Sequence, residues 1–165
     1  MTPHLGLTAL LLASLAAAPV LSSPARAQQS PAASSPRQQA SAAKQHRVVI
    51  QVSENDPKTM ALALNNAENL AKHYEQAGEG VQVEIVAYGP GLNMVRSDTS
   101  PVKDRLAALV GRPQGVTFSA CGNTLGAQSR QEGKEISLLP GAQLVPAGIA
   151  RIVQLQEQGW TYIRP

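Results

Sequence analysis

Residues 47–87 read RVVIQVSENDPKTMALALNNAENLAKHYEQAGEGVQVEIVA, and two hydrophobic periods meet inside that stretch. Arg47–Val52 is a short β-branched run, the pattern of a buried strand. Asn55-Asp56-Pro57 follows. An aspartate carboxylate can accept from the free N–H groups of a helix start, and proline suits the first turn because its missing N–H is not needed there. Met60, Ala63, Leu64, Ala67, Leu70, Ala71 and Tyr74 then recur every three or four residues, which predicts one apolar helical stripe ended by Gly78 or Gly80. Val81–Ala87 returns to a strand pattern and is closed by Gly89-Pro90-Gly91.

The same alternation continues outward. Ser100-Pro101 predicts a second helix cap, with Val102, Leu106, Leu109 and Val110 on one face before Gly111. Gly115–Ala120 reads as a third strand, and Cys121-Gly122-Asn123 leads into a short helix ending near Gly133. Leu139-Pro140-Gly141 is a turn before a short strand at Ala142–Val145. Ile149, Ile152, Val153 and Leu155 mark a fourth helix, which ends at Gly159 and releases Trp160–Ile163. Parallel strands need crossovers, and crossovers are right-handed. The pattern therefore predicts an α/β fold: a three-layer α/β/α sandwich on a mostly parallel five-stranded sheet. Strand order is not carried by local periodicity.

The preceding residues divide in two. Leu5–Leu21 is almost wholly apolar and uncharged, and Pro24 and the small-x-small triplet Ala25-Arg26-Ala27 follow it, which predicts a signal peptide over 1–27 cleaved before Gln28. One feature departs from the usual pattern: no Lys or Arg precedes the apolar run. At about 17 apolar residues, broken by Thr8, Ser14 and Pro19, the run sits at the short end for a membrane span. No stable membrane insertion is expected after cleavage, and with no cysteine at the cleavage site neither is a lipid anchor. The mature chain is expected in the periplasm. Residues 28–45 (QQSPAASSPRQQASAAKQ) hold nothing larger and more apolar than alanine, so they are expected to be a disordered Ala/Ser/Gln/Pro linker. The folded domain is expected over 46–165, long enough for one core.

Composition excludes several functions. Three of the fourteen Lys and Arg lie in residues 1–45, where there is no acid, and the remaining eleven are balanced by eleven Asp and Glu. The folded part thus lacks the basic excess that phosphate backbones require, and its few aromatics make no row of base-stacking platforms; no nucleic acid partner is expected. A single cysteine excludes an internal disulfide, and three scattered histidines (His4, His46, His73) do not make a zinc site. No metal and no cofactor are expected.

Reactive groups in an open parallel sheet gather at the carboxyl ends of the strands. Ser53–Asp56 with Asn55, Tyr88–Asn93 with Gly89 and Gly91, and Cys121–Thr124 all fall there. The last segment sets the only thiol between a strand end and a helix amino terminus, where the dipole and free N–H groups favour an anion. Gly122 removes bulk beside the sulfur, and Asn123 or Thr124 can cap the helix. The other reading of Cys121 is a small packed hydrophobe. Gly89-Pro90-Gly91 is half of a phosphate-binding fingerprint without its third glycine, and is read as a tight turn passing close to the cysteine loop. His46 and His73 are not expected to act as bases. Arg96, Arg112 and Arg130 read as surface charge, with Arg130 able to reach an anion near Cys121. Glu54 and Asp56 read as turn and cap. Leu92, Met94 and Val95 read as apolar residues that a monomer would leave partly exposed.

Phe118, Cys121, Asn123, Thr124 and Leu125 in GVTFSACGNTL, together with VQVEIVAYGPGLNMV, the first strand and helix, and the end LVPAGIARIVQLQEQGWTYIRP, resemble the DsrE/DsrF-like proteins over essentially all of residues 46–165. The resemblance implies a flavodoxin-like domain that forms a homo-oligomer. It also implies sulfur carried as a persulfide on the matching cysteine, here Cys121, between a donor and an acceptor protein. Two departures stand beside it: the export signal, and the lack of a second cysteine to resolve a persulfide. The competing expectation is a non-catalytic module that binds a small ligand or assembles, with Cys121 structural.

Overall fold

A computed structural model describes residues 44–112 and 115–165. The expected signal peptide (1–27) and nearly all of the expected linker (28–45) lie outside the described residues. The elements are β1 (Gln45–Val52), α1 (Pro57–Gln76), β2 (Gly80–Ala87), a 3₁₀ helix (Gly89–Val95), α2 (Lys103–Leu109), β3 (Val116–Cys121), α3 (Gly122–Glu132), β4 (Ala142–Val145), α4 (Gly148–Glu157) and β5 (Thr161–Ile163). Gln45, read from the sequence as the end of the linker, already pairs with Gly80. No described helix is long and apolar enough to cross a membrane.

α1 starts as its sequence dictates. The Asp56 carboxylate accepts from the Lys58 N–H at 3.2 Å and the Thr59 N–H at 3.0 Å, which satisfies two otherwise free donors. Its stripe then buries Met60, Ala63, Leu64 and Ala67 completely. Burying a side chain the size of Met60 or Leu64 stabilises the fold by about 1.5–3 kcal/mol.

The sheet is wholly parallel, in the order β4-β3-β2-β1-β5. That order explains the layers. From β1 to β4 the chain steps in one direction, so right-handed crossovers set α1, α2 and α3 on one face; the return from β4 to β5 reverses direction and sends α4 to the other. The first face carries the main core, including Ile50, Val52, Ile85, Phe118, Leu106 and Leu109. A smaller cluster of Val49, Val86, Ile152 and Leu155 lies under α4, flanked by Tyr88 and Trp160.

Four local expectations change. Gly89-Pro90-Gly91 is not a tight turn but the start of the 3₁₀ helix, which folds over the sheet end and buries Leu92, Met94 and Val95 completely rather than leaving them exposed. Gly91 is needed because a Cβ there would lie 2.4 Å from the Val52 carbonyl oxygen at the end of β1, while the expected close approach to the cysteine loop is made by Gly89, whose N–H donates to the Thr124 hydroxyl at 3.0 Å. Ser100 is not the N-cap residue of α2, a position that Val102 holds; its hydroxyl accepts the Val102 N–H at 3.3 Å and donates to the Met94 carbonyl at 2.6 Å, which ties the chain entering α2 to the 3₁₀ helix. Val110, Ile149 and Val153 face outward, because α2 and α4 are short and each anchors through two large residues, Leu106 and Leu109 in one and Ile152 and Leu155 in the other.

Candidate functional site

The chain order creates a crevice. β3 and β4 are neighbours, with Cys121 opposite Val145, yet α3 leaves β3 toward one face and α4 leaves β4 toward the other. Such a switch point is where open α/β sheets place their ligands. Cys121 is the last residue of β3 and the N-cap residue of α3, which corrects the expectation that Asn123 or Thr124 would hold that position. Gly148, the first residue of α4, abuts it: a Cβ there would lie 3.2 Å from the Cys121 Cβ and 2.9 Å from the Tyr88 Cβ. Two helix amino termini therefore converge on one sulfur.

Cys121 is 6 % exposed. Burial by itself pushes the thiol pKa up. The Thr124 hydroxyl and the backbone N–H groups of Gly148, Thr124 and Asn123 act the other way, and the outcome is a pKa below the ordinary thiol value. These groups make no full capping hydrogen bond to the side chain. Their effect is on the charged form, since their dipoles point positive ends at the sulfur. Thr124 is oriented for this, because its oxygen accepts the Gly89 N–H at 3.0 Å and its proton is left for the sulfur. Gly122 allows the close start of α3, as a Cβ there would press on the Val145 carbonyl oxygen at 3.2 Å. The Asn123 N–H also donates to the Pro146 carbonyl at 3.1 Å, fastening α3 to the chain that leads into α4.

Beside the thiol an open cleft of about 670 Å³ runs between the 3₁₀ helix and α3. Of the residues singled out from the sequence, Asn55, Gly89, Asn123 and Thr124 line it, whereas Gly91, Gly122 and Cys121 do not. Asn55 reaches it across the sheet end by accepting from the Asn93 amide at 2.8 Å. Arg96, expected at the surface, forms part of the wall and is 6 % exposed. It grips Asp98 at 2.9 and 2.8 Å and Glu132 at 2.6 and 2.9 Å, and so joins the end of the 3₁₀ helix to α3. Arg130 is exposed and absent from the cleft wall.

None of the remaining polar residues singled out from the sequence lines the cleft. His46 pairs with Glu79 at 2.6 Å and stacks on Tyr74, against whose edge His73 packs. Glu54 pairs with Arg164 at 3.0 Å, and the Arg112 guanidinium donates to the Ala108 carbonyl at 2.6 Å. Sequence reasoning missed Gly148 and Arg96. A glycine directly opening a helix after a strand, as in Val145-Pro-Ala-Gly148, is the signal of close approach that could have flagged the first.

Fold and site together define a small α/β sandwich protein with a buried, thiolate-favouring cysteine at its switch point. The chain belongs to the DsrE/DsrF-like family, whose model matches residues 46–165. It is also similar to a solved structure, the protein of unknown function MTH1491 from Methanobacterium thermoautotrophicum. Identity is 38 %, the TM-score is 0.61, and the match covers 73 % of this chain and 99 % of that one. No curated protein matches the chain. Membership in the family points to a role related to sulfur relay.

Proposed function

We propose that the protein is an exported sulfur carrier that holds a sulfane sulfur as a persulfide on Cys121. The observation that carries this reading is the convergence of the Thr124 hydroxyl and three backbone N–H groups on the sulfur. In the loading step the Cys121 thiolate attacks the outer sulfur of a donor persulfide. A new S–S bond forms at Sγ, the donor's own S–S bond breaks, and the donor leaves as a thiolate with its electron pair. In unloading, an acceptor thiolate attacks the outer sulfur and Cys121 departs as a thiolate, so no net oxidant or reductant is needed. A lowered pKa favours that departure, because low-pKa thiols leave faster. The adjoining cleft is the seat proposed for the donor.

Intact mass spectrometry of protein from its own compartment tests the reading: an adduct of about 32 Da, one sulfur atom, is expected on Cys121 and is absent from Cys121→Ser. The 6 % exposure of Cys121 favours the other reading, a ligand-binding or assembly module with a structural cysteine. Wild-type protein that takes up no sulfur from a persulfide donor, and is alkylated only on unfolding, selects that alternative.

Export to the periplasm and self-association belong to the same proposal. Ala25-Arg26-Ala27 supports the first, and amino-terminal sequencing that begins at Gln28 is the expected result. Exposed Leu144, Ile149 and Val153, from the edge strand β4 and the helix that follows it, support the second in place of the buried Leu92, Met94 and Val95. A closed ring of low symmetry is expected. Light scattering that returns the monomer mass at micromolar concentration counts against it.

A further inference from the structure

Glu84 is the one buried carboxylate among the described residues, and it lies in β2 in the middle of the sheet. One of its oxygens accepts from the Ser119 hydroxyl at 2.6 Å and from the Arg151 Nε at 2.7 Å, while the other accepts from the Arg151 Nη2 at 2.7 Å. Stability alone is a poor account of this arrangement, since an apolar residue of similar volume under a helix is often as stabilising as a buried ion pair or more so. An ion pair does something an apolar contact does not: its two-pronged geometry fixes one position of α4 along the sheet.

That position bears on the sulfur. Ser119 lies two residues before Cys121 on the same strand and hence on the same face. Arg151 lies three residues after Gly148, in the first turn of α4. The contacts close a ring that runs from Cys121 along β3 to Ser119, across to Glu84, up to Arg151, and back through Gly148 to Cys121. A helix free to slide on Ile152 and Leu155 would carry the Gly148 N–H away from the thiol, because apolar contacts are not directional.

We propose that Glu84, acting through Arg151, is a positioning residue for the Cys121 thiolate, holding the amino terminus of α4 against the sulfur. The proposal rests on Cys121 working as a stabilised thiolate, and the test separates the two. Iodoacetamide alkylation is followed across pH for the wild type, Glu84→Gln, Arg151→Lys and, as a control, Arg105→Met, which removes the surface pair between α2 and Glu68 of α1. The wild-type midpoint is expected below about 8.5. Both Glu84→Gln and Arg151→Lys are expected to raise it by about half a unit, roughly three-fold less thiolate at a fixed pH, the size of a lost helix-terminus contribution. Arg105→Met is expected to leave it in place. Arg151→Lys keeps the charge and loses only the two-pronged contact, so it carries the test if Glu84→Gln does not fold. A depressed wild-type midpoint that neither substitution moves overturns the positioning role and leaves the sulfur-carrier reading standing. A wild-type midpoint at or above about 8.5 overturns both.

Discussion

Under α1 and α2 the strands present Val48, Ile50, Val52, Val83, Ile85 and Phe118, an unbroken apolar surface; under α4 the same strands present Val49 and Val86 beside Gln51, Glu84 and Ser119. Alternation along each strand puts the two sets on opposite faces, so one sequence writes both. Among the described residues, the buried strand side chains of the first face are all apolar. The second has a short helix anchored by two aliphatic side chains and an ion pair, with the thiol at its edge. The apolar face supplies most of the stability, while the α4 face supplies directional contacts that set distances around Cys121.

The largest expected effect tests that division. Leu64→Ala empties a fully buried site on α1 and is expected to cost about 2–5 kcal/mol in urea denaturation, with the alkylation midpoint of Cys121 unchanged. A shifted midpoint would show that the faces are coupled and that the division is false.

Much of the apolar face was legible in the sequence, and little of the other. Asp56-Pro57 and the Met60–Ala67 stripe fix α1 because capping and amphipathicity are local, and the strand-end position of Cys121 follows from Gly115–Ala120 being a strand. Leu92, Met94 and Val95 were misread because their burial comes from a 3₁₀ helix folding back over strand ends, which no period of the segment announces. Arg96 was misread because its partner Glu132 stands 36 residues away. Gly148 and Arg151 act on Cys121 and Glu84 through the strand order, and strand order is a property of long-range pairing that hydrophobic period does not encode.

A second prediction concerns the wall of the cleft. Arg96 holds Asp98 and Glu132 below their ordinary values of 3.8 and 4.5, Lys134 adding to both. A carboxylate whose folded pKa is depressed contributes stability that is present above its unfolded value and lost as pH falls through the folded one. Denaturation midpoints are therefore expected to drop as pH falls below about 4.5, and Arg96→Met is expected to flatten that acid limb. An equally steep limb in Arg96→Met would place the acid sensitivity elsewhere, for example at Asp56 or Glu79, whose carboxyls are also held low.

Thr124→Val is the next smaller step. It removes the hydroxyl aimed at the sulfur and leaves the Gly89 N–H without its acceptor. A stability loss of about 1 kcal/mol is expected, together with an alkylation midpoint raised by roughly half to one unit. The two readouts separate the roles of this side chain. A stability loss with no movement of the midpoint would make Thr124 a tie between the 3₁₀ helix and α3 and nothing more.

Cys121→Ser is expected to do least to the fold and most to the chemistry. From burial alone, setting a hydroxyl where a thiol was is expected to cost about 1–3 kcal/mol. The position argues otherwise. Cys121 sits at the N-cap of α3 in extended backbone, a place where serine is among the preferred residues because its oxygen accepts the N–H groups two and three positions on. Those groups belong to Asn123 and Thr124, the same ones that lower the thiol pKa. The donors that favour a sulfur anion are thus equally suited to a hydroxyl oxygen, and the change in stability is expected to stay within about 0.5 kcal/mol in urea denaturation, while the sulfur adduct disappears. A loss of 1–3 kcal/mol, on the order of an unsatisfied buried hydroxyl, would mean that the sulfur is held by packing and belongs with the apolar face.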